Sequence, residues 1–233
     1  MKRQGRRMTL FEAAIFDWDG TLADTMPVVV FAFQKVLRGI DCVVSDDFLI
    51  RRVGIGARNM FKDALKLNNI AFDEAMVDDL MDKKFRIQTK RFSEVRLFDG
   101  ATELLDSLRP KLKIGLATMS NRPVINKLLR MKGLDGYFDF VLSADEVKHP
   151  KPDPEIFVNC AHKLDCKPER CVVFEDSVFG VIAAKSAKMK CVAIPSGAYT
   201  KAELIKEKPD LVVDSLKETQ RILDFVFSRN QKP

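Results

Sequence analysis

Two aspartates one residue apart, Asp17 and Asp19, stand directly behind a short apolar run and just ahead of Gly20-Thr21. Carboxylates so placed can serve as nucleophile, as general acid or base, or as ligands of a hard cation. Read alone, they are equally well turn formers ahead of a glycine. Other polar groups share that ambiguity. Thr118, Met119, Ser120 and Asn121 follow a second apolar run, and Glu175, Asp176 and Ser177 follow another. Between them lies His149-Pro150-Lys151-Pro152-Asp153-Pro154. A hydroxyl or acid in these segments could simply cap a helix, and Lys151 could be a solvated surface lysine. Their joint placement carries more weight than any one of them. Two like charges about 4 Å apart repel by ~4 kcal/mol at an effective dielectric of 20. Gathering Asp17, Asp19, Glu175 and Asp176 at one edge therefore calls for a cation, and an all-oxygen donor set suits Mg²⁺. A hard cation, an ammonium and a hydroxyl converging on a carboxylate describe a phosphoryl-transfer site.

Such convergence needs elements to produce it. Apolar, partly β-branched runs at 13–16, 114–117, 140–142, 172–174, 191–194 and 211–213 read as strands. They are too uniformly apolar to alternate, which marks strands covered on both faces. Helical patterns at about 122–132, 154–164, 177–188 and 200–207 separate the later runs. The alternation predicts an α/β fold, a Rossmann-like parallel sheet with helices on both faces. Ligands of such sheets bind beyond the carboxyl ends of the strands, where each polar segment named above would emerge. The rhythm fails between the first two strands. There, 26–38, 57–68 and 73–92 look helical, the last from Met76, Val77, Leu80, Met81 and Phe85 near a 3.6-residue period. The expected organisation is a core of residues 11–24 plus 94–227, an all-α insert at 25–93, and tails at 1–10 and 228–233. Asp99-Gly100 marks the return to the core, with a helix at 101–109.

Composition limits the function classes. Hydrophobic residues make up 46% of the 233, enough for a sizeable core and against wholesale disorder. The net charge of +6 is accounted for by Lys2, Arg3, Arg6 and Arg7 near the start and Arg229 and Lys232 near the end. A nucleic-acid binder should carry its basic excess on the folded body, so no nucleic-acid partner is expected. No apolar run approaches the ~18 residues of a membrane span, so a soluble protein without a membrane partner is expected. The five cysteines are odd in number and contain no C-x-x-C, which favours reduced thiols and the cytoplasm.

The four motifs, in this order, resemble those of the haloacid dehalogenase superfamily phosphatases, near the phosphoglycolate phosphatase and β-phosphoglucomutase branch. Asp17-Trp18-Asp19-Gly20-Thr21 matches that family's DxDGT motif, and Thr118 its Ser/Thr after a strand. Lys151-Pro152-Asp153-Pro154 matches its lysine motif, and Glu175-Asp176 its acidic pair. The family's helical cap, inserted after the first strand, matches the insert read from periodicity. The resemblance covers about residues 11–220. It implies a Mg²⁺-dependent phosphatase in which Asp17 is the nucleophile and forms an aspartyl-phosphate. Asp19 would protonate the leaving oxygen and later take a proton from water. Asp17, Asp19 through its carbonyl, Asp176 and Glu175 would hold the metal. Lys151 and Thr118 would bind the phosphoryl oxygens, with Met119, Ser120 and Asn121 at the phosphate. In the cap, Gly54 would approach the ligand, and Arg51 or Arg58 could bind a second anionic group. The substrate implied is a small phosphorylated metabolite of phosphoglycolate or sugar phosphate type.

Two other readings compete. A β-phosphoglucomutase-type transfer would, by the same resemblance, place a histidine near the cap hinge, where this chain has Val29; its only histidines are His149 and His162. A receiver-like signalling module also phosphorylates an aspartate beside Mg²⁺, threonine and lysine. Receivers are about half this length and lack the DxD after the first strand.

Overall fold

The computed structural model describes residues 10–228. The basic tails expected at 1–10 and 228–233 lie outside the described residues apart from Leu10 and Ser228. Six strands form one parallel sheet in the order β5-β4-β1-β6-β7-β8. They are β1 (Ala13–Phe16), β4 (Lys113–Ala117), β5 (Phe140–Leu142), β6 (Cys171–Glu175), β7 (Lys190–Ala193) and β8 (Leu211–Val212). The fold class is the α/β, Rossmann-like one the alternation predicts.

Helices cover both faces, as the apolar strands require. Residues alternate along each strand, so each strand feeds two cores. On one face Ala14, Phe16, Leu116, Val172 and Phe174 meet α5 (Ala101–Leu108), α6 (Arg122–Met131) and α10 (Thr219–Phe227). On the other, Ala13, Ile15, Val173 and Cys191 meet α7 (Glu155–Lys163), α8 (Val178–Ser186) and α9 (Lys201–Lys206). The rings of Phe16 and Phe174 stack at 4.3 Å across β1 and β6 and tie the two central strands together.

The register of these strands decides where the chemistry goes. Phe16 pairs with Leu116 on one side and with Phe174 on the other. The next residue of each strand is then level with its neighbours. Asp17 sits opposite Ala117, just before Thr118, and its N–H donates to the Phe174 carbonyl at 3.0 Å.

Between β1 and β4 lies the helical insert, here called the cap. It contains α1 (Met26–Arg38), α2 (Asp46–Ile50), α3 (Ala57–Leu67) and α4 (Glu74–Thr89) around its own apolar cluster, including Val29, Phe33, Leu49, Phe61 and Leu80. A two-stranded antiparallel ribbon, β2 (Ala23–Asp24) with β3 (Arg96–Leu97), joins it to the sheet. The sequence reading names neither ribbon strand, nor α2 and α10. The ribbon strands are two residues each, too short for any period, and exist because the chain's exit and return run side by side. The helix expected over 73–92 ends at Thr89, and residues 92–94 form a separate 3₁₀ turn before β3. Among the described residues no helix is long and apolar enough to cross a membrane. All five cysteines are buried and unpaired.

Candidate active site

The strand ends deliver Asp17, Thr118, Glu175 and Asp176 to one edge, and the loop ahead of α7 delivers Lys151. All five are buried, Lys151 to 1% exposure. Its Nζ donates to Asp17 Oδ1 at 2.5 Å and to Glu175 Oε1 at 2.6 Å, and lies 4.9 Å from the Phe157 ring centre. A lysine with no water must have such partners, because an unpaired buried charge is prohibitively expensive.

Glu175 is held from every side. Its second oxygen accepts from the N–H groups of Asp176 and Ser177 and from Ser177 Oγ, each at 2.9 Å. A Cβ at Gly180 would lie 1.9 Å from this carboxylate, so the glycine is what admits it. The Glu175 oxygens are thus spent on Lys151 and on the first turn of α8. Asp176 accepts from Thr21 Oγ1 at 2.8 Å. Its carboxylate rests against backbone, since a Cβ at Gly20 or Gly197 would come within 2.2 or 1.7 Å of Oδ2. Asp19 is shared by three hydroxyls: Thr25 at 2.6 Å on one oxygen, Ser120 at 2.8 Å and Thr118 at 3.3 Å on the other.

One ammonium cannot offset this many carboxylates. Burial pushes the Asp17 carboxyl well above its usual range; Lys151 opposes the shift, and Glu175 and Asp19 add to it. Asp176 is also raised, by burial and then by Glu175 and Asp17. For Lys151, burial works against the charge, but Asp17 and Glu175 more than offset it, and its pKa is raised. The excess negative charge and the glycine cradle behind Asp176 fit a hard divalent cation. Among the described residues, no three of His, Cys, Asp and Glu converge as a full ligand shell. Mg²⁺ needs none, because it commonly takes one or two carboxylates and completes its shell with water and substrate phosphate.

Facing this edge across a narrow cleft is the cap. The cleft is lined by Asp17, Asp19, Met119, Ser120, Asn121 and Val124 from the sheet side. Val29, Phe33, Val53, Gly54, Gly56, Ala57, Met60 and Lys84 line it from the cap, and its free volume is about 30 Å³. Lys84 is missed by the sequence reading. Only 8% exposed, it donates to Gln88 at 2.7 Å and lies 5.0 Å from the Phe33 ring centre. Burial lowers its pKa from 10.5 to about 8, with Asp19 drawing it back up. A signal was present: the buried stripe of α4 runs Val77, Leu80, Lys84, Gln88, so a lysine occupies a position where an apolar residue belongs.

Four of the residues expected at the substrate have protein partners of their own. Arg51 and Arg58 do not line the cleft. Arg51 pairs with Glu203 at 2.9 Å and Asp47 at 3.2 Å, while Arg58 pairs with Glu74 and Asp78 on the outer surface of the cap. Asp47 is a helical neighbour four residues away, but Glu203, Glu74 and Asp78 come from folded neighbours that local sequence does not reveal. The Ser120 N–H is not free for a phosphate either, because it donates to Thr118 Oγ1 at 3.0 Å. Asn121 lines the cleft, but its side-chain amide donates to Asp145 at 2.6 Å.

Residues 14–194, from β1 to just past β7, match the haloacid dehalogenase-like hydrolase family. The chain belongs to that family. A phosphorylated carbohydrates phosphatase of Thermotoga maritima is 32% identical over 89% of this chain and 99% of its own length. A phosphoglycolate phosphatase of Agrobacterium fabrum is 32% identical over 86% of this chain and 87% of its own. The crystal structure of a β-phosphoglucomutase from Clostridium difficile superposes with a TM-score of 0.83 at 27% identity, covering 92% of this chain and 96% of that one. The haloacid dehalogenase-like frame thus extends over the cap as well as the sheet.

Proposed function

We propose that the protein hydrolyses a small phosphate monoester, of phosphoglycolate or sugar phosphate type, through an aspartyl-phosphate on Asp17 with Mg²⁺ bound. That the chain is a phosphoric monoester hydrolase follows from its family and from the named phosphatases among its relatives. The observation that carries the mechanism is Lys151, buried to 1% and bridging Asp17 and Glu175. It fixes one Asp17 oxygen by a charge-assisted bond and leaves the other to attack.

In the first step that oxygen bonds to phosphorus and the ester P–O bond breaks, with Asp19 giving its proton to the leaving alkoxide. In the second step Asp19 takes a proton from water as the water oxygen bonds to phosphorus. The phosphorus–Asp17 bond then breaks, releasing inorganic phosphate and the carboxylate. Asp19 is suited to both because Thr25, Ser120 and Thr118 hold it in place. Asp17, the Asp19 carbonyl and Asp176 would hold Mg²⁺, which would supply charge neutralisation there. Glu175 belongs to the placement of Lys151. Lys84 offers the substrate one cationic group from the cap, and the apolar wall around it disfavours large polar ligands. Hydrolysis is preferred over mutase transfer because Val29, not a histidine, lines the cleft from the start of the cap. Buried thiols support a cytoplasmic setting. No nucleic-acid partner is proposed.

A panel of phosphorylated metabolites assayed with and without Mg²⁺ tests this. Mg²⁺-dependent phosphate release, lost in Asp17→Asn, is expected. Undiminished release by Asp17→Asn rejects the covalent mechanism.

A further inference from the structure

The closed cleft has about 30 Å³ of free volume. That holds about one or two waters and no phosphate ester, so the cap must move for substrate to enter and must return to a defined place. What fixes that place lies outside the cleft. Arg51, the C-cap residue just after α2, reaches across to the sheet domain, where its Nη1 meets Glu203 Oε1 at 2.9 Å. The Tyr199 hydroxyl donates to the Arg51 carbonyl at 2.7 Å, and the guanidinium lies 5.4 Å from the Tyr199 ring centre. One cap residue is therefore gripped by its main chain, its charge and its π contact.

The sheet side of this grip is rigid. Glu203 closes a capping box: its other oxygen accepts from the Thr200 N–H at 2.8 Å and the Thr200 hydroxyl at 2.7 Å. These bonds and Arg51 lower its pKa to about 2, so it is charged at any pH where the protein works. Tyr199 packs edge-on to Phe179 at 6.4 Å. The loop carrying Tyr199 also reaches the acidic nest. Ser196 Oγ donates to the Gly20 carbonyl at 2.6 Å, and Gly197 abuts Asp176. On the cap side, Arg51 stands three residues before Gly54, whose added Cβ would lie 3.7 Å from Ser177 Oγ. Gly56 approaches Met119 still more closely, at 3.1 Å by the same measure. Loop 54–56 and the arginine thus belong to one short stretch, tied by turn hydrogen bonds from Val53 N–H to Ile50 and from Ile55 N–H to Arg52.

We propose that Arg51, Tyr199 and Glu203 form a latch that sets loop 54–56 and Lys84 over Asp17, making Arg51 a positioning residue that acts on the reaction without entering the cleft. Its catalytic consequence rests on the phosphatase reading; its effect on cap closure does not. Lys84 reports closure directly. It is buried when the cap is shut, so an acylating reagent reaches its amine only when the cap stands away.

The test measures acylation of Lys84 by mass spectrometry, normalised to the exposed Lys188, in wild type, Arg51→Met, Glu203→Gln, Tyr199→Phe and the Arg51→Met/Glu203→Gln double variant. Thermal melts verify folding, and Tyr199→Phe retains the ring packing should the others fail. Each single variant is expected to speed Lys84 labelling about threefold, the scale of one partly exposed ion pair or hydrogen bond. The double variant should be no faster than the faster single, because both remove one interaction. For the esters the wild type hydrolyses, kcat/KM should fall by a similar factor, mostly through KM. Unchanged Lys84 labelling in folded single variants, or strictly additive effects in the double, overturns the latch. A wild type that hydrolyses no ester while the variants still expose Lys84 removes the phosphatase reading and leaves the latch standing.

Discussion

The two walls of the cleft are built on opposite plans. The sheet wall is almost wholly polar and yet buried: Asp17, Thr118, Lys151, Glu175 and Asp176 each have side-chain partners within hydrogen-bond reach. The cap wall is apolar, with Val29, Phe33, Val53 and Met60 around one lysine that donates to a neutral amide. The first wall is over-determined, so that reacting atoms meet pre-set charges. The second contributes shape and a single cation. On the proposed function, chemistry and selectivity fall to different parts of the chain, joined by a ribbon of two-residue strands and the Arg51 contacts.

That division predicts unequal losses. Asp17→Asn and Asp19→Asn should each reduce turnover of p-nitrophenyl phosphate by at least about 10³-fold, the scale of losing a positioned nucleophile or general acid. Lys84→Met should reduce kcat/KM for a metabolite ester by only about tenfold. Equal losses from the two walls, in steady-state assays, would erase the distinction.

Stability separates the walls next. Glu175→Gln removes one of the two carboxylates on a buried ammonium and should destabilise by about 3 kcal/mol in urea unfolding. Exposed cap pairs such as Lys83 with Asp79 should have no comparable effect. With chelator present, Asp17 and Asp176 take up protons on folding because their pKa values are raised above 3.8. Their contribution is complete below pH 3.8 and lost as pH rises through the raised values. Adding Mg²⁺ at neutral pH should restore stability, by about 2.7 kcal/mol at a hundred times its Kd, in thermal melts. Asp176→Asn should abolish that gain.

The cap wall has its own pH signature. Lys84 loses its charge as pH passes about 8, so kcat/KM should decline there by up to about tenfold and Lys84→Met should remove the decline. Stability should move the other way. A lysine whose folded pKa lies below 10.5 costs least where it is neutral, so stability rises from about pH 8 to 10.5. The smallest expected effect is that of Gly56→Ala. Its φ of +87° and the 3.1 Å approach to Met119 make a side chain unwelcome, at about 1 kcal/mol by denaturant unfolding.

The sheet wall was legible because strand ends are. An apolar run stops, a polar group follows, and the parallel topology guarantees that all such groups emerge on one edge. Asp17, Thr118 and Glu175-Asp176 were singled out that way, Lys151 by its place in the family's motif, and the fold brings them to one edge. The helices of the cap were legible from their period, with α1 matching residue for residue over 26–38. Lys84 was passed over although it continues the spacing of Val77 and Leu80, because Phe85 beside it satisfies the same helical period. The partners of Arg51 and Arg58 were hidden for a related reason: Glu203, Glu74 and Asp78 reach them only through the fold.

Composition and pattern thus determine the layered sheet, the helical insert and the set of groups available for chemistry, since burial and periodicity act over a few residues. Pairing was decided by tertiary structure. Lys151 reaches Asp17 across 134 positions, and Arg51 reaches Glu203 across 152. No local rule carries such information, because a charge takes the nearest opposite charge in space, and only the packed fold says which that is.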